Sequence, residues 1–241
     1  MPALSQRVGD HVRTNSEAFA AILHPPGTDV TEGATISSHF YPDATTHVTN
    51  NRFPRSYGFM KWYLSPATGG ADGTARRRRT LRSLLRHPMS ATANARATDW
   101  HRRTTILTVM QHAENEMALR LTRTLGRWRL RSELPPDAAP IPAFLPQADA
   151  AGVAVAAASG GRAYSTVLES LLGVGATAHI LGGAVIAADA ESGVVDSDHR
   201  VFGYDNLRIM DGSVVPENIG VNPSWTITAM AERACARWLT T

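Results

Sequence analysis

The sequence predicts an α+β protein: an antiparallel sheet flanked by helices, then a glycine-rich segment of short strands closing on a C-terminal helix. Three observations carry this. Residues 118–134 alternate apolar and basic side chains about Gly126, as a β-hairpin does. Apolar residues recur at helical spacing around 148–158 and again beyond 223. Between 177 and 222, glycines cut the chain into pieces suited to short strands and turns.

In chain order, residues 4–22 show helical spacing in part and stop at His24-Pro25-Pro26-Gly27. Residues 33–41, His47-Val48-Thr49 and the β-branched run Thr104 to Met110 read as strands. Leu81, Leu84 and Leu85 place a helix after Arg76-Arg77-Arg78-Arg79, with the arginines largely on its solvated face. In the hairpin, Leu119, Leu121, Trp128 and Leu130 form an apolar face and Arg120, Arg129 and Arg131 a basic one. Residues 132–147 are a proline-rich surface connection. An alanine-rich helix follows, and then a second helix opened by a capping box, Thr166-Val167-Leu168-Glu169. In the last helix Asn222 is the expected cap and Pro223 the first helical residue. Its buried stripe is read as Ile227, Met230, Ala231, Ala234, Cys235 and Trp238.

Composition narrows the function classes. At 241 residues and 43% hydrophobic content the chain can bury a real core. A single cysteine forms no intramolecular disulfide, so nothing argues for an oxidising compartment. The N-terminus lacks the features of a secretory signal, and no apolar stretch spans a bilayer. The expectation is a cytoplasmic protein. Its net charge of +3 rests on arginine, Lys61 being the one lysine. The Arg76–Arg79 run lacks interleaved aromatics or a binding motif, so nucleic acid is not an expected partner.

Two residues stand out chemically. His179 lies in an apolar, glycine-flanked context, Ala178-His179-Ile180-Leu181-Gly182-Gly183. Alone it reads as a core histidine, but the glycine pair permits close backbone approach to a ligand, and imidazole suits proton transfer from an alcohol near neutral pH. Asn222 reads as a plain cap, or as part of a helix N-terminus that stabilises negative charge. No metal site is expected, because no cluster around His179 has ligand spacing.

Taken together, these motifs resemble a known family. They are His179 to Gly183, Ser192-Gly193-Val194-Val195-Asp196, Arg200-Val201-Phe202-Gly203, Asn206-Leu207, Asp211-Gly212-Ser213, and Gly220-Val221-Asn222-Pro223 before Thr226 to Arg233. The set resembles the C-terminal signature of the glucose-methanol-choline flavoprotein oxidoreductases, above all their cholesterol-oxidase-like branch. Val12-Arg13-Thr14-Asn15-Ser16-Glu17 and fainter similarity around Thr46-His47 and 106–111 extend it over nearly the whole chain. The resemblance implies an FAD-binding portion at 1–20, a substrate domain at 21–176, and a segment at 177–241 whose strands and helix complete the FAD-binding α/β domain. It implies FAD as cofactor, a sterol or other alcohol as substrate, and possible peripheral membrane contact. His179 becomes the base or hydroxyl-orienting group and Asn222 its partner. Asp211, Gly212, Ser213, Asn222, Pro223 and Ser224 become FAD contacts.

The chain also departs from the pattern. The family's first strand and phosphate loop are absent, and Gly173-Val174-Gly175-Ala176-Thr177-Ala178 follows a helix-like segment where a dinucleotide fingerprint follows a strand. The expected partner is therefore a missing nucleotide-binding half or a partner subunit. The alternative is a remnant that cannot bind FAD alone and at most binds sterol or a partner chain. Ile180 follows the histidine where many members have proline. Thr49-Asn50 stands near the glutamate that isomerising sterol oxidases use. Neither residue shuttles a proton as a carboxylate does, so the resemblance implies oxidation without efficient isomerisation.

Overall fold

The computed structural model describes residues 4–69 and 73–240. The extreme ends of the first and last expected segments, 1–3 and 241, and residues 70–72 lie outside the described residues. The chain forms two compact units, one of residues 16–111 with 142–176 and one of 1–15, 112–141 and 177–241. The hairpin groups with the C-terminal segment, not with the sheet beside which it was read.

The first unit is a six-stranded sheet, every pairing antiparallel. Its strands are β1 (Ala18–Leu23), β2 (Ile36–Phe40), β3 (Thr46–Asn51), β4 (Leu64–Pro66), β5 (Thr104–Gln111) and, later in the chain, β8 (Arg162–Thr166), in spatial order β2-β3-β5-β1-β8-β4. One face, from Ala18, Ala20, Ile22, Val48, Leu107 and Val109, packs on the helix α4 (Pro146–Ser159). The other face presents Ala21, Leu23, Ile106 and Tyr164 to Trp100, Phe53 and Met60. Here the helical reading of residues 4–22 fails: β1 is a central strand buried on both faces. An unbroken apolar run carries no period to tell strand from helix.

Helices α1 (Gly73–Arg86), α2 (Pro88–Arg96) and α3 (Trp100–Arg103) and the 3₁₀ segment Arg55–Tyr63 complete this unit with the turn at 168–172. In α1 the expected solvated face is inverted: the buried residues are Arg76 and Thr80, while Leu81 and Leu85 are exposed. Arg76 turns inward because Asp149 and Glu169 wait there. The helix expected from Thr166 is one π turn, Leu168–Leu172. Half of the capping box forms, Thr166 Oγ1 accepting the Glu169 N–H at 3.3 Å. The other half does not, because Glu169 points inward and accepts the Phe19 N–H instead.

The second unit holds the hairpin of β6 (Ala118–Thr124) and β7 (Arg127–Glu133). Leu125 and Gly126 at its tip both have positive φ, as a two-residue hairpin turn requires. Leu121 pairs with Leu130 and Arg123 with Trp128, so the apolar face is as read but carries one arginine, and it is exposed. Short bridges around Ile186, Val195 and Val201 build a small core of Ala184, Val194, Val195, Val201 and Val214. Against it lies Met230 of α5 (Ser224–Trp238). Of the expected stripe of α5, Ala234 is buried and Cys235 and Trp238 are exposed. No helix among the described residues is long and apolar enough to cross a membrane.

Candidate active site

In the second unit the three expected site segments come together. The Gly182 N–H donates to Gly212 O at 3.1 Å, and Ala184 and Ile186 donate to Ser213 and Val214. This ladder lays the strand-like stretch after His179 beside the turn Asp211-Gly212-Ser213. Gly212 in turn faces α5: a Cβ there would meet Ile227 Cδ1 at 3.0 Å and Leu181 Cδ2 at 3.1 Å. On the opposite side, Arg13 exchanges backbone hydrogen bonds with Leu181, and Asn15 Nδ2 donates to Val221 O at 2.8 Å beside Asn222.

The turn is held by its own carboxylate, Asp211 Oδ1 accepting from the Ser213 N–H at 2.8 Å and from Ser213 Oγ at 2.5 Å. Helix α5 starts one residue later than expected. Pro223 occupies the cap position, no side chain caps the helix, and Asn222 stands outside it half-buried. A proline cannot donate and offers no side-chain acceptor, so the first amides of α5 remain available. His179 is half-buried, and burial holds its imidazole below the ordinary 6.5. Burial thus favours its neutral form. In the glycine pair beside it, Gly182 has φ +77°, and a Cβ there would lie 1.9 Å from His11 O. Its close approach is to the chain's own backbone.

This donor set fits a flavin: a neutral imidazole, a half-buried primary amide, and an uncapped helix start beside an ordered acidic turn.

The sheet unit carries a second feature, invisible in the sequence. An apolar cavity of about 260 Å³ opens on the sheet face away from α4, lined by Phe19, Ala21, Phe53, Met60, Trp100 and Ile106 among others. Its wall includes the aromatic segment whose Tyr57, Phe59, Trp62 and Tyr63 also face solvent. Along the same sheet face, β3 presents His47, Thr49 and Asn51, all buried. Asn50 lies on the opposite face, where its Oδ1 accepts the Ser38 N–H at 2.9 Å. Thr49 and Asn50, read together from sequence, are thus separated by the pleat. His47 meets His39 at 3.2 Å and stacks on Tyr41, and burial, then His39, lowers its pKa. Period-two polarity in a strand was the available signal, but it reads equally as a solvated face.

Comparison with known proteins fits this arrangement. Residues 97–231 match the GMC oxidoreductase family model. The chain belongs to the GMC oxidoreductase family, as a C-terminal portion related to cholesterol oxidases. A cholesterol oxidase of Acinetobacter baumannii is 36% identical over 235 residues, 97% of this chain and 42% of its own length. One of Mycobacterium tuberculosis is 35% identical over 246 residues, 99% of this chain and 42% of its own. The chain thus spans less than half the length of these curated relatives. The solved structure of pyridoxine 4-oxidase from Mesorbium loti covers 98% of this chain and 44% of that one, with TM-score 0.52 at 14% identity, a likeness of fold alone. GMC oxidoreductases are flavoproteins, generally FAD-dependent.

Proposed function

We propose that this chain is the C-terminal part of an FAD-dependent alcohol oxidoreductase acting on an apolar secondary alcohol, a hydroxysteroid such as cholesterol fitting best. The observation that carries the reading is the convergence of the His179 segment and the Asp211–Ser213 turn, hydrogen-bonded to each other, with Ile227 of α5, a helix whose start is uncapped, packed against Gly212. When bound, FAD supplies the hydride acceptor. Asp211, Gly212, Ser213, Pro223 and Ser224 hold it, and the first amides of α5 offset its negative charge. His179, kept neutral by burial, takes the proton from the substrate hydroxyl, and Asn222 donates an amide hydrogen bond to that oxygen. The apolar cavity supports an apolar substrate body. The exposed aromatics of residues 57–63, next to Arg55 and Lys61, support contact with a membrane surface from which such a substrate is drawn.

Oxidation proceeds without efficient isomerisation in this reading, because no carboxylate stands at 49 or 50. Rapid isomerisation of an unconjugated steroid ketone by the flavin-loaded protein contradicts it.

A second reading is favoured by the exposed apolar face of the hairpin, with Leu121, Trp128 and Leu130 each more than half exposed. In it the chain holds no FAD unaided and completes its site only with a nucleotide-binding partner chain. One experiment separates the two: incubation with FAD, desalting, a visible spectrum, and anaerobic addition of cholesterol. Retained absorbance that bleaches with cholesterol, and bleaches about a hundredfold more slowly in His179→Ala, supports the first reading. A colourless protein supports the second, and bleaching unaffected by His179→Ala removes His179 from the mechanism.

A further inference from the structure

The hairpin leaves one strand edge open. Strand β7 pairs with β6 alone, and all seven of its residues are exposed. Two observations fix which backbone groups that edge presents. Leu125 and Gly126 at the tip have φ +50° and +76°, a two-residue turn that closes on a hydrogen-bonded Thr124–Arg127 pair. Hydrogen-bonded and non-hydrogen-bonded pairs then alternate, so Leu119, Leu121 and Arg123 face Ser132, Leu130 and Trp128 without exchanging backbone bonds. The Leu119 N–H accordingly turns away from β7 and donates to Gly9 O at 2.7 Å. By the same alternation Trp128, Leu130 and Ser132 direct their N–H and C=O groups outward from β7, where no backbone group among the described residues meets them.

The two faces beside this edge differ in chemistry. Arg127, Arg129 and Arg131 alternate on one face, joined by Arg120 opposite Arg131. Arg120 is ion-paired to Asp10, but none of the other three has a carboxylate partner among the described residues. Glu133 is the one acidic residue on that face of the hairpin. The other face carries Trp128 and Leu130 beside Leu121, all exposed. Like charges directly opposed across strands repel. A second copy of β7, paired antiparallel so that Arg127 meets Glu133, sets Arg129 against Arg131, so the edge disfavours pairing with itself.

We propose that the outer edge of β7 is a docking line for an extended segment of a partner chain in which acidic and apolar residues alternate. The segment adds a third strand to the hairpin, its backbone pairing with the outward groups of Trp128, Leu130 and Ser132. Side chains alternate between faces, so its acidic residues fall opposite Arg127, Arg129 and Arg131 while its apolar residues cover Trp128 and Leu130. Guanidinium groups suit this task because each grips a carboxylate through two parallel hydrogen bonds. Main-chain pairing supplies the affinity and the alternation supplies the selectivity. The docking line goes beyond both flavin readings and holds whether or not the chain retains FAD.

The test uses the full chain and short fluorescent peptides, with binding read by anisotropy. One peptide alternates glutamate with valine, a second has the same composition in two blocks, and a third alternates lysine with valine. The alternating acidic peptide is expected to bind saturably and about tenfold or more tightly than either of the others. Leu130→Pro removes an outward N–H without cutting a bond between β6 and β7, so it weakens that binding about tenfold while the melting temperature holds. Leu130→Ala keeps the N–H and weakens binding less. Arg129→Glu with Arg131→Glu leaves the hairpin backbone intact and exchanges the preference, the lysine peptide now binding more tightly than the acidic one; this decides the question even if Leu130→Pro unfolds the hairpin. Equal binding of the alternating and block peptides reduces the contact to charge attraction and overturns strand addition. No saturable binding of the alternating peptide overturns it as well, as does binding that a folded Leu130→Pro variant leaves unchanged. Binding to phosphatidylserine vesicles without binding to the peptide gives the arginines to a membrane and overturns the proposal. Self-association that Leu130→Pro abolishes gives the edge to a second copy and overturns the choice of partner. A colourless chain that binds the alternating peptide keeps the docking line and loses the redox reading in isolation, and one that bleaches flavin without binding the peptide does the reverse.

Discussion

Arg76 Nη2 lies 3.7 Å from Glu169 Oε2, both side chains shut off from solvent. The same guanidinium nitrogen reaches Ser165 Oγ at 3.0 Å and Asp149 Oδ1 at 3.4 Å, and the group lies over the Phe144 ring. Burial outweighs the pull of Arg76 and pushes the Glu169 carboxyl up from 4.5 to about 7. A raised folded value means the contribution to stability is fully present below 4.5 and is lost as pH rises through about 7. His24, His47 and His179 have lowered values, so they act in the opposite sense, costing stability as pH falls below 6.5. A variant isolates the carboxylate from them. Glu169→Gln should match the wild type near about pH 5 and exceed it near about pH 8, by on the order of 2 to 3 kcal/mol, in denaturant unfolding. Parallel profiles for the two proteins contradict the assignment.

The arginine run divides accordingly. Arg76→Ala strips a buried cation from two carboxylates and should cost about 3 to 5 kcal/mol. Arg77, Arg78 and Arg79 are exposed, and alanine at any of them should stay within about 0.5 kcal/mol of wild type. Equal losses across the four positions contradict the inward turn of Arg76.

That division marks what the sequence could and could not reveal. The hairpin was legible because Leu119 to Thr122 and Trp128 to Arg131 alternate apolar and polar side chains and Gly126 supplies the turn. The segment around His179 and the start of α5 were legible because glycines and Asn222-Pro223 mark element boundaries. β1 was not, because Ala18 to Leu23 is apolar throughout and buried on both faces. Arg76 was not, because its partners Asp149 and Glu169 lie 73 and 93 residues on in the chain.

The state of His179 is open to direct measurement. Burial lowers its pKa, so ring resonances followed by NMR across an acid titration should show a midpoint below 6.5. The imidazole is then neutral, able to accept a proton, throughout the physiological range, and any dependent reaction slows as pH falls through that midpoint. A midpoint above 6.5 removes the physical basis for a base at this position.

Gly182 and Gly212 should respond to alanine to very different degrees. At Gly182 the backbone has φ +77°, and a Cβ would fall 1.9 Å from the His11 carbonyl oxygen, a backbone atom fixed by neighbouring hydrogen bonds. Strain and overlap add, so Gly182→Ala should cost about 3 kcal/mol or more and lower the melting temperature steeply. At Gly212 the φ is ordinary, and the nearest atoms, Ile227 Cδ1 at 3.0 Å and Leu181 Cδ2 at 3.1 Å, are the free ends of side chains that can rotate. Gly212→Ala should therefore cost only about 1 kcal/mol. It nevertheless displaces the turn from α5, where the flavin contacts are proposed, so it should weaken flavin retention in a protein that still folds. Thermal melts of both variants, read beside the absorbance they retain after desalting, separate a glycine the fold requires from one the cofactor requires. If Gly212→Ala melts as low as Gly182→Ala, the turn belongs to the scaffold and its assignment to the flavin fails.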